Sequence, residues 1–365
     1  MQMIHTVGYA ANQSTAGLHR HEFDRDEAKA NEVEIEVLYC GVCHSDIHQV
    51  KNEWHNTVYP CTPGHEVVGR VTKTGAAVTR HKVGDVVGVG CMIDSCRGCE
   101  ACRAGEENYC EGPNSFLATY NGPAVPGKMA IGGKNTYGRD NTFGGYSTSM
   151  VVAEDFVLKI PSGLKPEVAA PILCAGVTTY SPMKRWGVQR GSKVGIVGFG
   201  GLGDMAVKLA KALGAEVVIF TTTKEKLQEA ARLNVAGVLE SDEVSIHSYK
   251  GSFDFMLSTV PKKHDLNPFL PLLKRNAPMV VVGALEPLEP VNNMVVAAHR
   301  LSVCGSMIGG IRETQEVLDF CASHKIGPDI QMIGMEEIND AYRRVENDEV
   351  RFRYVIDMAS LKSKQ

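Results

Sequence analysis

Four cysteines crowd one short stretch: Cys96, Cys99, Cys102 and Cys110, spaced C-x2-C-x2-C-x7-C. Thiolates at such spacings close a tetrahedral shell around zinc, and a closed shell leaves no position for a substrate. The expected role of this loop is structural. Arg97 and Arg103 lie beside it in sequence and are expected to offset part of the tetrathiolate charge. A second set of metal-binding residue types is dispersed. Cys43-His44-Ser45-Asp46-Ile47-His48 forms one segment, Gly64-His65-Glu66 another, and Cys174 lies far downstream. Two thiolates and one imidazole leave a fourth zinc position open, as catalysis requires. Spacing alone does not assemble that trio, because an isolated Cys or His in an apolar segment is more often structural.

A third motif, Gly198-Phe199-Gly200-Gly201-Leu202-Gly203, fits G-x-G-x-x-G. It follows an expected strand and opens an expected helix, the context that gives the motif meaning. Gly198 allows the tight turn, Gly200 the approach of a pyrophosphate, and Gly203 the packing of helix on strand. The helix N-terminus then offers unpaired N–H groups to the phosphates. The next strand runs into Thr221-Thr222-Thr223-Lys224-Glu225-Lys226, where an NAD-preferring site would place a carboxylate. Hydroxyls and ammonium groups suit a 2′-phosphate, so NADP(H) is expected. Thr223 also reads as a helix N-cap with exposed lysines behind it, and both roles can coexist.

These groups need a scaffold. Val33-Glu34-Ile35-Glu36-Val37 alternates as a half-buried strand, and Gly84-Asp85 reads as a turn before Val86-Val87. The stretch from Asn114 to Gly145, polar and glycine-rich, is expected to be a long surface loop. Beyond residue 156 the pattern changes. Strands are expected at Val194–Val197, Glu216–Phe220, Phe253–Leu257 and Met279–Val282. Ala206, Leu209, Ala210 and Leu213 mark a helix that Gly214 ends. Alternating strand and helix implies α/β architecture with a parallel sheet.

At 365 residues the chain is long enough for two domains. Its net charge of -4 and lack of a basic block give no support to nucleic-acid or membrane-surface binding. The start lacks the pattern of a signal peptide and no apolar run reaches spanning length, so a cytoplasmic location is expected. Eleven cysteines there read as metal ligands or free thiols rather than disulfides.

Taken together, the motifs resemble those of the zinc-dependent medium-chain dehydrogenases, in the cinnamyl-alcohol-dehydrogenase-like branch. The matching pieces are Gly41 to Asp46, Pro63 to Glu66, the four-cysteine loop, Cys174 to Thr178, Gly198 to Gly203, and Gly305 to Gly310. The resemblance implies a mostly β, GroES-like catalytic domain, assigned here to 1–156 and 299–365, and a Rossmann domain at 157–298. It implies Cys43, His65 and Cys174 as catalytic zinc ligands. Glu66 would approach the metal when coordination rearranges, and Asp46 would orient the ligating histidine. Two zincs per chain and NADP(H) are the expected cofactors.

The same resemblance makes Ser45 the hydroxyl nearest the substrate oxygen and His48 the relay toward solvent, histidine being the side chain that titrates nearest neutrality. Without the resemblance, both read as ordinary turn and surface residues. His44 is expected near the pyrophosphate, and Thr178, Ser306 and Ile308 near the cofactor. Trp54 is either a wall of the substrate pocket or a core residue. Asp204, just after the last glycine, is unexpected, because it could repel the phosphates. The implied activity is interconversion of primary alcohols and aldehydes, favouring reduction of aromatic or medium-chain aldehydes, in a homodimer joined through the Rossmann sheet edge. Rival readings are a polyol or secondary-alcohol dehydrogenase, a zinc-free quinone or enoyl reductase, and a non-catalytic dinucleotide-binding zinc protein.

Overall fold

The computed structural model describes residues 3–112, 115–122, 141–283, 287–347, 349 and 353–361. The chain divides into two compact units, Met1–Cys174 with Gly309–Gln365, and Ala175–Ile308. The sequence placed these breaks earlier, at 156/157 and 298/299. Two local features account for the difference. Leu158–Lys159 pairs with Val86–Val89, and the helix Pro166–Pro171 then packs on the strand Glu32–Gly41, so both stay with the first unit. At the other end, Ser302–Gly305 pairs in parallel with Pro278–Val281 and so belongs to the second unit's sheet.

The first unit is built on a seven-stranded sheet. Its order is Ile330–Gly334, Arg353–Asp357, Glu32–Gly41, Val67–Thr74, Val86–Val89, Leu158–Lys159, with Ser149–Ala153 also pairing Glu32–Gly41. The alternation seen in Val33–Val37 falls in the middle of the central strand, where Val33, Ile35 and Val37 are buried. Gly84 takes φ +94, a conformation that favours glycine, and starts the turn into Val86–Val89. A hairpin, Met3–Ala10 with His19–Asp26, stands beside this sheet. From it the Arg25 guanidinium donates to Phe143 O at 2.9 Å and Ser147 Oγ at 3.1 Å, pinning the chain that enters Ser149–Ala153.

The expected surface loop at 114–145 lies largely outside the described residues. Its described flanks correct the expectation. Phe116–Asn121 is buried, and Leu117–Ala118 pairs with Met92–Asp94. The apolar Phe116-Leu117-Ala118 triplet, diluted in a polar window, is what drives this burial.

The second unit holds a six-stranded parallel sheet. In space the order is Ala236–Leu239, Glu216–Thr221, Lys193–Val197, Phe255–Ser258, Pro278–Val281, Ser302–Gly305. Numbered along the chain this is 3-2-1-4-5-6, the order of a Rossmann sheet. Buried apolar runs such as Val217–Phe220 and Phe255–Leu257 suit strands covered on both faces. The helix Gly201–Ala212 buries Met205, Ala206, Leu209 and Ala210, and Gly214 at φ +86 follows its end. The order reverses between Lys193–Val197 and Phe255–Ser258, and the glycine motif sits at that point. No helix among the described residues is long and apolar enough to cross a membrane.

Candidate zinc and dinucleotide sites

The first unit carries two clusters of metal-binding side chains, and in each the donor atoms lie within 4.8 Å of one another. Cys96, Cys99, Cys102 and Cys110 make one. Backbone amides turn toward its sulfurs: Cys99 N and Cys102 N reach Cys96 Sγ and Cys99 Sγ at 3.4 Å, and Glu111 N reaches Cys99 Sγ at 3.3 Å. Led by the Cys102 amide, the bonds to Cys99 Sγ hold its thiol down to about 6. Four converging sulfurs, one already favouring thiolate, fit a structural zinc. Of the two arginines expected to offset its charge, Arg97 is engaged by Asp94 at 2.9 Å and Asp155 at 3.0 Å, while Arg103 is bonded to the Gly98 carbonyl within the loop.

The other cluster is Cys43, His65, Glu66 and Cys174, all buried. Cys43 is the N-cap of the short helix His44–Val50, which sets it at the head of Ser45, Asp46 and His48. His65 and Glu66 sit just before the strand Val67–Thr74, and Cys174 lies in a π-helical segment, Ile172–Gly176. Such segments are rare and occur often at functional sites. Cys43 and Cys174 share a hydrogen bond, which lowers the Cys43 thiol and raises that of Cys174. Burial opposes a charged His65, but the Asp46 carboxylate, together with Cys91 and Cys43, outweighs it and raises the imidazole well above its usual value.

Asp46 is fully buried and accepts four hydrogen bonds. His65 Nδ1 at 2.9 Å and Gly64 N at 3.1 Å meet Oδ1; Cys43 N at 3.0 Å and the Tyr146 hydroxyl at 3.2 Å meet Oδ2. With Nδ1 so engaged, Nε2 of His65 is the nitrogen left for a metal. Glu66 is fully buried too. Its Oε1 accepts from Arg353, while Oε2 has no partner. Burial raises the Glu66 carboxyl well above the usual range even with Arg353 beside it. Gly41 leaves room for Glu66 as it stands: a Cβ there would come within 1.9 Å of Oε2, so any other residue would displace the carboxyl group. The donor set of two sulfurs, an imidazole and a carboxylate with a spare oxygen fits zinc.

Ser45 is half-buried in the first turn of the same helix. His48 is a quarter exposed, and its Nδ1 is bonded to the Glu53 carboxylate. The His48 ring lies 6.0 Å from His44 and 5.8 Å from Trp54. Trp54 is half-exposed, which sets aside its reading as a core residue. The Tyr120 ring stands 5.7 Å from His65 and is buried. Sequence reasoning missed Glu53, Tyr120, Tyr146, Arg353 and Cys91, whose thiol reaches Cys174. None belongs to a spaced motif, so no local signal could have found them.

In the second unit, Gly198 takes φ +87, and its carbonyl accepts from Thr259 Oγ1 at 3.0 Å. A Cβ on Gly203 would collide with that same carbonyl, which is why helix and strand can close there only with glycine. A Cβ on Gly200 would meet no protein atom within 4 Å. Space open at the N-terminus of the helix that starts with Gly201-Leu202-Gly203 fits a phosphate-bearing cofactor. Asp204 is paired with Lys208 at 2.8 Å, which answers the expected repulsion by neutralising the charge locally. Thr221 is buried, while Thr222 and Lys224 are exposed and Lys226 half-exposed. Thr223 caps the helix Lys224–Arg232, accepting from Lys226 N at 3.4 Å. Thr178 is buried with its hydroxyl unpartnered. Ser306 and Ile308 follow the last strand, and Ile308 takes φ 44, a strained conformation for a β-branched residue.

A Rossmann sheet with an open glycine turn, a closed four-sulfur cluster and a separate Cys/His/Glu/Cys cluster define a zinc-containing, dinucleotide-dependent dehydrogenase. Comparison with known proteins agrees. Residues 29–162 match the alcohol dehydrogenase GroES-like domain and residues 201–323 the zinc-binding dehydrogenase domain. The chain is 47% identical to the aldehyde reductase YahK of Escherichia coli, over 98% of this chain and 99% of that one. Cinnamyl alcohol dehydrogenase from Sorghum bicolor superposes with a TM-score of 0.90 at 40% identity, covering 98% of each chain. The CAD of Helicobacter pylori, solved as a complex with NADP(H), gives 0.89 at 38% identity over 98% and 99% of the two chains. The chain belongs to the zinc-containing medium-chain alcohol dehydrogenases, close to the cinnamyl alcohol dehydrogenases.

Proposed function

We propose that this chain is an NADP(H)-dependent alcohol dehydrogenase and aldehyde reductase whose favoured direction is reduction of aromatic or medium-chain aldehydes. The observation that carries this reading is the convergence of Cys43, His65 and Cys174 with Glu66, whose Oε1 is bonded to Arg353. With zinc and NADP(H) bound, the site supplies Lewis-acid polarisation of the substrate oxygen and a hydride donor or acceptor. Cys43, His65 and Cys174 would hold the metal, and Asp46 fixes the imidazole. Arg353, bonded to Glu66 Oε1, draws that carboxyl group off the metal when a substrate enters.

Ser45 moves the proton at the substrate oxygen. His48 carries it toward solvent, and Glu53 holds the His48 ring in the orientation for transfer. Trp54 and Tyr120, flat rings beside His48 and His65, suit flat or long apolar aldehydes. Thr222, Thr223, Lys224 and Lys226 bind the 2′-phosphate, the Gly198–Gly203 turn holds the pyrophosphate, and Thr178, Ser306 and Ile308 contact the nicotinamide half; the resemblance adds His44 to the cofactor-binding residues. We also infer a homodimer in the cytoplasm. Ser302–Gly305 is an edge strand, and the neighbouring helix Asn293–His299 buries no residue, leaving Met294 and Val303 exposed. These features support pairing with a second copy.

The test is a panel of aromatic, medium-chain and polyol substrates run with NADPH and NADH. Aldehyde reduction with NADPH at the highest kcat/KM is expected. Preference for polyols or for NADH would overturn the reading.

A further inference from the structure

We propose that Tyr146 is a positioning residue for the open metal centre, its hydroxyl fixing the Asp46 carboxylate that aims the His65 imidazole. This rests on reading Cys43, His65 and Cys174 as a zinc centre.

A carboxylate offers about four lone-pair sites, and Asp46 fills them with four donors. Three of those donors belong to the ligand segments themselves: Cys43 N, Gly64 N and His65 Nδ1. The fourth, the Tyr146 hydroxyl, comes from elsewhere in the chain. It shares Oδ2 with Cys43 N, across the carboxyl group from His65. Without it, Oδ2 keeps a single bond, and the carboxyl group can turn about its own axis and carry Oδ1 away from the imidazole.

Tyr146 is also fixed firmly enough to serve as a reference point. It is fully buried. Its backbone N–H donates to Pro63 O at 3.0 Å, and its carbonyl accepts from Tyr9 N at 2.9 Å. Its ring faces Tyr342 with centroids 6.4 Å apart. It also rests against the residue before His65: a Cβ on Gly64 would come within 2.6 Å of Tyr146 Cδ1 and 2.8 Å of its N. Gly64, at φ +102, is the residue type that permits this approach. Tyr146 therefore acts on His65 by two routes, through the Gly64 backbone and through Asp46. A phenylalanine would retain only the first.

Tyr146→Phe separates the two routes, since the ring stays and the hydroxyl goes. Tyr342→Phe is the comparison: it removes the hydroxyl that neighbours that of Tyr146 but leaves all four donors to Asp46 in place. The readouts are the visible spectrum of protein with cobalt(II) exchanged into the open site, the rate of zinc release to a chelator, and kcat and KM for NADPH. Tyr146→Phe is expected to shift the cobalt bands and to release one of two zincs about tenfold faster, the low end for losing a partner behind a metal ligand. It is expected to lower kcat with KM for NADPH unchanged. Tyr342→Phe, which keeps the bond to Asp46, is expected to move the cobalt spectrum and zinc release clearly less than Tyr146→Phe does. If wild type holds two zincs and Tyr146→Phe is indistinguishable from it, the proposal is overturned. It is equally overturned if both variants move the spectrum and release rate alike. A wild type that binds only one zinc would instead overturn the zinc-centre reading beneath it.

Discussion

Replacing Arg353 by methionine tests how the fourth metal position is kept open. Arg353 is 9% exposed and Glu66 is 0% exposed, so the pair is desolvated on both sides. Breaking such a pair costs up to about 3–5 kcal/mol, and for Arg353→Met part of that is escaped because Glu66, already raised by burial, can shed its charge. For a unit of this size, roughly 2–4 °C is lost per kcal/mol, so Tm is expected to fall by up to roughly 20 °C. Glu66→Gln alone strands the Arg353 charge. The double variant, Arg353→Met with Glu66→Gln, removes both charges and should lose clearly less than the two single losses combined. Activity reads the other consequence. Glu66 already lies among the metal donors, and without Arg353 its carboxylate can take the substrate's place, so Arg353→Met should be nearly inactive even where it is folded. Thermal unfolding and aldehyde reduction on zinc-replete samples measure both. Additive losses in Tm, or an Arg353→Met enzyme with wild-type kcat, would refute the reasoning.

Other consequences follow from the same geometry. Ser45→Ala should cut kcat by about 10²-fold or more, the scale of general acid–base catalysis, and His48→Ala far less because water can replace an exposed relay; near-wild-type steady-state rates in both variants would remove the relay. Lys224→Ala with Lys226→Ala should raise KM for NADPH by about ten- to a hundredfold, as expected for lost bonds to a charged phosphate, and leave KM for NADH unchanged; an unaltered NADPH-to-NADH ratio would show that the phosphate is bound elsewhere. Asp254 gives a pH prediction. Burial pushes its carboxyl up, but the Lys193 amide at 2.9 Å and Lys274 Nζ at 2.7 Å outweigh that and hold it below its usual 3.8. A depressed carboxyl stabilises the fold above the unfolded value and loses that contribution as pH falls through the folded one. The difference in Tm between wild type and Asp254→Asn should therefore be full at neutral pH and shrink below about pH 4; a difference that grows on acidification would contradict this.

How much was legible in the sequence depended on how local each feature is. The four-cysteine loop was legible because its ligands are close neighbours in the chain and chemistry alone limits their meaning. The glycine turn was legible because each glycine answers a separate steric demand, now visible at Gly198 and Gly203. Cys43, His65 and Cys174 come from three distant segments, and only the resemblance joined them. Their supports were not legible at all. Tyr146, Arg353 and Glu53 are single residues brought in by the fold, and nothing in their neighbours marks them. Asp204 looked hostile to phosphate because a sequence shows a charge but not its partner; Lys208, one turn on, supplies it. The unit boundaries slipped for a similar reason. Strand pairing at Leu158–Lys159 and Ser302–Gly305, rather than composition, decides where each unit ends.

Counting zinc in wild type and in Cys174→Ser tests the central claim most directly. Dialysed, metal-replete wild type should carry two zinc ions per chain and reduce aldehydes with NADPH. Cys174→Ser should keep the ion in the four-cysteine loop, fall toward one per chain, and lose the activity. A variant that still binds two ions and turns over normally, or a wild type that never binds a second, would contradict the account.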